Sequence, residues 1–510
     1  MKKPVRNAAL LSAGIVCLSL GLLYGHAGEE MRTWTTADGR YKTQAAFLGF
    51  KDGMVQLRKE DGKEISVPSS KLCAEDRDYV RAELQRRRQE SSPAPAKKAA
   101  AGSKVAAASA GPWPRWRGPN IDGRCRETGL LQEWPEGGPH LAWQAEGIGT
   151  GFAGVSVVGG KIFTMGRQDG KERLFALNAQ DGSILWSTPI GPGRTERGSN
   201  CTPTVDGDLV YAISIEGDLI CARADNGEPV WQKNFARDFG GKMMTGWGYS
   251  ESPLVDGKLL VCTPGGEQAV MAALDKKTGR PVWTAVMPYG GSQGQDGAGY
   301  SSIVVSQGAG VKQYVQLVGR GLIGVAADSG QVLWRYDRIA NGTANIPTPI
   351  VSDDFVFCST GYGTGAALLK LTRSGRGVEA QEQYFLDANT LQNHHGGMVL
   401  LDGYIYCGHK HNEGFPICVE LKTGRVKWGG DQRGAGSGSA AVLYADGNLY
   451  FRYQNGTMAL IEATPERYNL KSSFKLASVR AESWPHPVIA DGKLLLRDQE
   501  VLMCYDVKAK

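Results

Sequence analysis

Five tryptophans recur along the chain at nearly constant spacing, each at the end of the same short motif. Trp186, Trp231, Trp283 and Trp334 lie 45, 52 and 51 residues apart, and Trp428 follows 94 residues later, which is two periods. Each tryptophan comes shortly after a tight turn, in the segments DGSILW, NGEPVW, TGRPVW, SGQVLW and TGRVKW. A period of about 45–50 residues is typical of the four-stranded blades of a β-propeller.

A second turn lies half a period away from each tryptophan motif, between two apolar runs. The segments are VVGGKIF, VDGDLVYA, VDGKLLVC, SDDFVFC, LDGYIYC, ADGNLYF and ADGKLLL. Asp-Gly between such runs is a strong hairpin signal. Two hairpins per period give four antiparallel strands per blade, labelled A to D from the axis outward, with the tryptophan in strand D.

The repeats count to eight blades, although two of them have no tryptophan. We expect other aromatics in those positions, near Tyr384 and near Phe474. The last repeat ends after strand C, and HLAWQAEG with Trp143 supplies the missing strand D. We therefore predict an all-β fold, an eight-bladed β-propeller whose N- and C-terminal strands share one blade, which removes exposed sheet edges.

Composition and charge agree with such a fold and exclude one class of partner. The 69 glycines, against an ordinary apolar content of 41%, indicate many turns and short strands. The net charge is +6. One short stretch contributes +5 of it, leaving the remainder near neutral, so we expect no nucleic-acid partner. Its charged residues are Arg86, Arg87, Arg88, Lys97, Lys98 and Lys104, less Glu90.

The chain begins with the pattern of a secretory leader. Lys2, Lys3 and Arg6 precede an apolar run from Ala8 to Tyr24, and small residues follow it, which predicts a signal peptide at residues 1–27. We expect a periplasmic or secreted protein. The alternative is an inner-membrane anchor formed by an uncleaved leader, which would be the chain's one contact with a membrane.

Residues 31–85 alternate apolar and polar residues around three Asp-Gly turns, and a short helical pattern follows them. This stretch resembles the Sla-type homology domain, an SH3-like β-barrel, in the segments RTWTTADGRYK, KDGMVQLRKEDGKEISVP and KLCAEDRDYV. That module binds short peptides in eukaryotic relatives, and the alternative for this chain is a bare spacer domain. Residues 86–112 are rich in Ala, Lys, Pro and Ser and predict a disordered linker, followed by the propeller at 113–510. The predicted core of the small domain is Trp34, Phe47, Phe50, Val55, Leu57, Ile65 and Val67.

The ten cysteines form no CxxC or CxxCH pattern, which excludes an attached c-type haem and a zinc site built from neighbouring residues. Several lie inside apolar runs, such as FVFCS and FPICVEL, so we expect most of them to be small buried hydrophobes.

The repeat also carries a family resemblance. ALDKKTGRPVW closely matches the tryptophan-docking repeat of the quinoprotein dehydrogenase superfamily, and LNAQDGSILW, AADSGQVLW and ELKTGRVKW are looser copies. With the Sla-type module and the segment WPRWRGPNIDG, the chain resembles multidomain PQQ-like propellers of planctomycete-type bacteria. That family includes PQQ alcohol dehydrogenases and non-catalytic outer-membrane assembly propellers. The motif lies at blade joints and not at the axis, so the resemblance implies a fold more than a cofactor.

Three functions stay open at this point. The family's enzymes cover their quinone with a disulfide between adjacent cysteines and bind Ca²⁺ beside a catalytic Asp, and this chain has no Cys-Cys pair. We therefore expect a non-catalytic, monomeric binding propeller for a protein, peptide or glycan. The alternatives are a PQQ-dependent alcohol or sugar oxidoreductase with PQQ and Ca²⁺, and a metal-dependent hydrolase or lyase.

Strand parity predicts where a site would lie. The short A–B and C–D turns share one face, so the long B–C turns and inter-blade loops share the other, and long loops on a rigid scaffold commonly carry function. We expect Trp247 and Tyr249 there either to plug the central channel or to stack on a ligand. The candidate ligand-binding residues of this long-loop face are Arg194, Arg197, Lys242, Trp247, Tyr249, Glu251, Gln295, Asp296, Tyr300, Asn345, Asn393, Arg433, Glu482, Trp484 and His486.

Four histidines cluster on the same predicted face. His394 and His395 lie in an inter-blade loop, and His409 and His411 lie in the B–C turn of the same blade. Four imidazoles on one rim are a candidate transition-metal site. The alternative is that they hydrogen-bond neighbouring loop backbone.

Overall fold

The computed structural model describes residues 31–51, 54–73, 75–77, 79–80, 83, 111–193, 197–375 and 377–509. The chain divides into two units, residues 1–106 and 107–510. The predicted leader, residues 86–110 of the predicted linker, and Arg194 lie outside the described residues. Within the described ranges, the helices are too short or too polar to cross a bilayer.

The first unit contains one antiparallel sheet of four consecutive strands. Its core contains Trp34, whose indole Nε1 donates to the backbone oxygen of Ala45. Phe50, expected in the core, is 41% exposed, because it lies at the end of its strand beyond the irregularity after Phe47. The elements are β1 (Met31–Thr35), β2 (Lys42–Lys51), β3 (Met54–Lys59), β4 (Glu64–Pro68) and a 3-10 helix (Ser69–Lys71).

The second unit begins with two strands, β5 (Arg124–Cys125) and β6 (His140–Ala145), that pair with strands far along the chain. The first four blades follow in chain order, each an antiparallel sheet of four strands. Blades 1 and 2 contain β7 (Ser156–Val158), β8 (Lys161–Gln168), β9 (Lys171–Asn178), β10 (Ile184–Gly191), β11 (Thr204–Asp206), β12 (Leu209–Ile213), β13 (Asp218–Arg223) and β14 (Pro229–Asn234). Blades 3 and 4 contain β15 (Leu254–Asp256), β16 (Leu259–Cys262), β17 (Met271–Asp275), β18 (Pro281–Ala285), β19 (Val304–Ser306), β20 (Gln313–Val318), β21 (Gly321–Ala326) and β22 (Val332–Tyr336).

Four more blades complete the described part of the second unit, and short helices lie in three of its connections. Blades 5 and 6 contain β23 (Ile350–Ser352), β24 (Phe355–Thr360), β25 (Gly365–Ser374), β26 (Gly377–Asp387), β27 (Met398–Leu401), β28 (Tyr404–His409), β29 (Phe415–Glu420) and β30 (Val426–Gly429). Blades 7 and 8 contain β31 (Ala440–Ala445), β32 (Asn448–Tyr453), β33 (Thr457–Glu462), β34 (Leu470–Lys475), β35 (Val488–Ala490), β36 (Lys493–Asp498) and β37 (Val501–Asp506). The helices are α1 (Phe235–Phe239) and 3-10 helices at Gly308–Gly310 and His411–Glu413.

The ring closes as the repeat count predicts. Strand β6 pairs antiparallel with β37, with Trp143 opposite Cys504, and so supplies strand D of blade 8. The described part of the second unit is therefore an eight-bladed β-propeller whose last blade is shared by strands from both ends. The predicted all-β fold is confirmed.

The recurrent tryptophans lie at the joints between blades. Trp231 donates its Nε1 hydrogen to the backbone oxygen of Lys276, in the C–D turn of the next blade. The ring also covers Gly279 of that turn, where an added Cβ would lie 2.7 Å from the indole. In a blade without tryptophan, Tyr384 donates its hydroxyl hydrogen to the backbone oxygen of Leu421 in the same way. The motif is thus an architectural joint.

Residues 113–117 cross the central channel of the propeller, and we call them the plug segment. Trp113 forms a backbone bridge with Val157 in strand A of blade 1, and Arg115 donates to the backbone oxygen of Val255 in strand A of blade 3. Arg117 donates to the backbone oxygen of Met398 in strand A of blade 6. Because strands A of neighbouring blades lie side by side around the axis, these contacts place the plug segment across the channel.

Candidate functional site

The long-loop face of the propeller contains a cavity of about 650 Å³. Its walls come from inter-blade loops and B–C turns of several blades, as strand parity predicts, and Trp116 of the plug segment also lines it. Trp116 donates its Nε1 hydrogen to Thr348 Oγ1 and lies 4.4 Å, between ring centroids, from His486. The plug segment therefore forms part of the cavity's floor. A volume of this size is typical of small-molecule sites.

Three of the four predicted rim histidines line this cavity. A further histidine, His486 from another loop, lies beside them. His394 lies between His395 and His411, at centroid distances of 4.3 and 4.0 Å. His486 donates its Nε2 hydrogen to the backbone oxygen of His395, 3.1 Å away. The cluster thus joins loops of three different connections at one wall.

His409 is not part of this cluster. Its Nδ1 accepts a hydrogen bond from the backbone nitrogen of Gln392, and it does not line the cavity. His409 and His411 would point the same way along a regular strand, but Lys410 and His411 have positive φ values of 67° and 50°. This left-handed backbone reorients His411 relative to His409.

Hydrogen bonds fix the tautomer of His394. Ser439 donates its hydroxyl hydrogen to Asn412 Oδ1, so it must accept at 2.6 Å from His394 Nδ1. The other ring nitrogen, Nε2, then accepts from the hydroxyl of Tyr362 at 3.1 Å. Both nitrogens of His394 are therefore occupied by protein partners.

The cavity histidines are neutral. Burial, with a contribution from neighbouring imidazoles, lowers the pKa of His394 to about 2 and that of His395 to about 3. Burial and the nearby Arg117 guanidinium lower the pKa of His486 to about 3, and burial lowers the pKa of His411. Imidazoles whose pKa is lowered below its ordinary value are uncharged at neutral pH, and they act as aromatic rings and hydrogen-bonding groups.

Six of the predicted ligand-binding residues line the cavity. Arg197 lies over the Trp247 ring, 4.2 Å from its centroid, and Trp247 is 45% exposed at the rim. Tyr300 is buried and within hydrogen-bonding distance of Thr245 through its hydroxyl. The six are Arg197, Trp247, Tyr300, Glu482, Trp484 and His486.

The other predicted residues have structural partners outside the cavity. Tyr249 packs against Phe235 and donates to the backbone oxygen of Pro264, so it does not plug the channel. Trp247 lies exposed at the rim of the cavity under Arg197. The buried amide of Asn345 donates to the backbone oxygens of Val318 and Gly319, and that of Asn393 donates to the backbone oxygen of Gly408. The remaining contacts are Lys242 over the Tyr289 ring, Gln295 to the Gly342 oxygen, Asp296 with Arg320, Arg433 with Glu413, and Glu251 with Thr263.

Several cavity residues were absent from the sequence-based prediction. Trp116 and Phe152 precede the first blade, where the repeat gives no register. Tyr362, Asn412 and Gln454 lie in B–C turns, which the prediction searched only for histidine. The presence of an aromatic or amide side chain in each of these B–C turns was the sequence signal that could have identified them as cavity residues.

The lining does not fit PQQ with Ca²⁺. PQQ is a tricarboxylate, and Ca²⁺ takes several oxygen ligands, commonly carboxylates. Among the described lining residues, Glu482 is the one carboxylate and Arg197 the one permanent cation. The nine cysteines in the described ranges are all free, and none lines the cavity. Nor do the described residues include three or more His, Cys, Asp or Glu side chains arranged to hold a metal ion.

Two family models match separate parts of the chain. Residues 135–212 and 170–429, together more than half of the chain, match the family model described as "Outer membrane protein assembly factor BamB". Residues 27–88 match the model of the SLA1 homology domain 1.

Individual relatives match over short segments. The outer membrane protein assembly factor BamB of Burkholderia pseudomallei is 31% identical over 116 residues, which are 22% of this chain and 27% of the relative. The actin cytoskeleton-regulatory complex protein sla1 of Schizosaccharomyces pombe is 46% identical over 52 residues, which are 10% of this chain and 4% of the relative. The chain thus spans well under two thirds of either relative.

Among solved structures, the quinohemoprotein alcohol dehydrogenase of Comamonas testosteroni has a TM-score of 0.55 at 13% sequence identity. The match covers 79% of this chain and 82% of that one. At this identity the likeness shows the propeller fold alone.

Proposed function

The chain belongs to the family of the outer membrane protein assembly factor BamB, and from that premise we propose that it is an exported, non-catalytic binding propeller. Its ligand, a protein, peptide or glycan, would occupy the cavity of the long-loop face. The name of the matched relatives, an assembly factor of the outer membrane, supports a periplasmic location and a binding role. The predicted leader supports export.

The observation that carries the proposal is the composition of the cavity. Trp116, Phe152, Trp247 and Trp484 bring large rings to a concave surface that also carries amide and hydroxyl side chains. Rings with a few polar groups among them are typical of recognition surfaces, since aromatic side chains bury much area at little loss of conformational freedom.

The same composition argues against the quinoprotein alternative. A tricarboxylate cofactor with Ca²⁺ needs cations and carboxylates together, and the described lining offers one of each, at Arg197 and Glu482. The likeness to an alcohol dehydrogenase concerns the fold, and one fold can carry several unrelated functions.

Site-specific photo-crosslinking in the producing cells tests the proposal. We would replace Trp247 with p-benzoylphenylalanine, which keeps an aromatic ring at the exposed rim of the cavity. The control position is Lys258, exposed in the A–B turn of blade 3 on the opposite face. We expect a covalent adduct, identified by mass spectrometry, from position 247 and none from position 258.

A second variant ties the adduct to the cavity. Trp484→Ala, combined with the probe at 247, should reduce adduct formation because it removes a wall ring. Equal adducts from both faces, or no adduct from 247, would contradict the proposal. Dye-linked alcohol oxidation by protein incubated with PQQ and Ca²⁺ would favour the oxidoreductase instead.

A further inference from the structure

Six rings form a continuous arc along the cavity wall, and all six line the cavity. We call them the ring arc. Consecutive rings lie in van der Waals contact, with centroids 4.0 to 4.7 Å apart. In spatial order the ring arc is Phe152, Trp484, His395, His394, His411 and Tyr362.

The ring arc presents no formal charge. Its three imidazoles are neutral, because burial lowers their pKa values. The charged side chains among the described lining residues are Arg197, which lies over the rim ring of Trp247, and Glu482, which is exposed. Behind the floor, the buried guanidinium of Arg117 bonds to the backbone oxygens of Met398 and Asp122. The ring arc itself therefore offers no charge to an ionised ligand. The cations nearest to it are Arg197 at the rim and Arg117 behind the floor, whose Nη1 has no hydrogen-bond partner among the described residues.

Polar atoms without protein partners belong to residues that line the same cavity. His395 Nε2 is buried and makes no hydrogen bond among the described residues. Gln454 uses its Oε1 to accept from Trp484 Nε1, and its Nε2 has no partner within the described ranges. Asn200 donates through Nδ2 to Ser250 Oγ, and its Oδ1 likewise has none there. A buried polar atom left unpaired destabilises a fold, so His395 Nε2 points to a missing partner.

We propose that the ring arc binds an uncharged carbohydrate. The C–H faces of pyranose rings stack on aromatic faces, while hydroxyl groups both donate and accept hydrogen bonds, which suits His395 Nε2, Gln454 Nε2 and Asn200 Oδ1. A peptide would instead need partners for its backbone donors and acceptors along an extended path. The plug segment forms the floor, so the ligand enters from the long-loop face with one end of its chain.

This inference rests on the proposed binding function and names the ligand class of that same cavity. Calorimetric titration of the full chain tests it, using the neutral trisaccharides maltotriose, cellotriose, mannotriose and chitotriose, with trigalacturonate as the charged counterpart. Chitotriose is used as its N-acetylated form, triacetylchitotriose, because the free amines would be charged. We expect at least one neutral trisaccharide to bind with a Kd below about 1 mM, and trigalacturonate to bind at least about tenfold more weakly.

Two variants separate binding from folding. His395→Phe keeps a ring of similar size and removes the unpaired nitrogen, so thermal stability should stay equal or rise while trisaccharide affinity falls at least about tenfold. Trp484→Ala, which removes a ring of the ring arc, should abolish trisaccharide binding. Tyr289→Ala, which removes an exposed ring of the same face outside the cavity, should leave affinity unchanged.

Binding of trigalacturonate alone, or trisaccharide binding that both cavity variants leave intact, overturns the inference. The absence of any trisaccharide binding overturns it as well. If a protein adduct still forms from the probe at position 247 in that last case, the binding propeller stands and the carbohydrate fails. If neither adduct nor titration shows a ligand, both fail.

Discussion

At the scale of single residues, two buried carboxyls make stability depend on pH. Burial raises the pKa of Glu251 to about 8 and that of Glu172 to about 7. Glu251 accepts hydrogen bonds from the backbone nitrogen and hydroxyl of Thr263, and Glu172 accepts from Ser199 and the backbone nitrogen of Ile215. Both side chains thus hold a proton in the folded chain at pH values where the unfolded chain has lost it.

Glu251→Gln should remove part of this pH dependence. Between the ordinary pKa of 4.5 and the folded value of about 8, the native state binds the additional proton, so raising the pH lowers the free energy of unfolding. Gln cannot ionise and keeps an oxygen for Thr263. Urea unfolding at pH 5 and pH 8 should show the wild type losing on the order of 3 kcal/mol more than Glu251→Gln over this interval.

The matched control is Glu466→Gln, since Glu466 is an exposed carboxyl in the same propeller. It should follow the wild type at both pH values. If Glu251→Gln instead loses as much stability as the wild type between pH 5 and pH 8, Glu251 does not carry a proton in the folded chain.

The histidines show what sequence reasoning could and could not find at this scale. Strand parity placed His394, His395 and His411 on the correct face, because parity depends only on the order of turns. It placed His409 beside them wrongly, since the left-handed backbone at Lys410 lies within a turn that parity treats as regular. Directions within turns depend on φ and ψ values that the residue pattern does not determine.

At the scale of elements, the blade joint combines a glycine of positive φ with an aromatic ring. Gly279 has φ +69°, and an added Cβ would lie 2.7 Å from the Trp231 indole. Gly257, in another turn of the same blade, has φ +60° and nothing within 4 Å of such a Cβ. The two positions share the backbone strain of a substitution and differ in the ring contact.

Gly279→Ala should therefore destabilise the propeller more than Gly257→Ala. Strain at positive φ costs each variant about 1 kcal/mol, and displacement of the Trp231 ring adds about 1–3 kcal/mol at Gly279 alone. Urea unfolding followed by tryptophan fluorescence measures both values. Equal losses for the two alanines would mean that the ring does not depend on the turn it covers.

The elements themselves were largely predictable, because the propeller repeats. Trp143 in β6 was assigned to the last blade from its motif alone, and it lies opposite Cys504. The plug segment was not predicted, nor was β5, which adds a fifth strand to the sheet of blade 7. Neither belongs to a repeat. The plug segment contacts Val157 and β5 pairs with Tyr444, and the repeat spacing does not predict either contact.

At the scale of the whole molecule, the ring is held closed by more than the pairing of β6 with β37. Arg497 of β36, whose side chain is fully buried, also bonds blade 8 to blade 1. Its guanidinium donates to the backbone oxygens of Gly149 and Met165 and to Thr164 Oγ1. Burial lowers its pKa to about 9, so it remains charged at neutral pH.

Arg497→Met should loosen this joint before any other, because it leaves buried carbonyl oxygens of blade 1 without a donor. We expect a loss on the order of 3 kcal/mol in the free energy of unfolding. Hydrogen exchange in β8 and β36 should accelerate at least about tenfold, while β20 on the far side of the ring changes less, since local opening begins where contacts are lost. The matched control is Arg223→Met. Because Arg223 pairs with Asp208 at the surface, this substitution should lower the free energy of unfolding by about 1 kcal/mol or less. If exchange rises equally in β8 and β20, or Arg497→Met costs no more than the control, then backbone pairing of β6 with β37 closes the ring without the buried arginine.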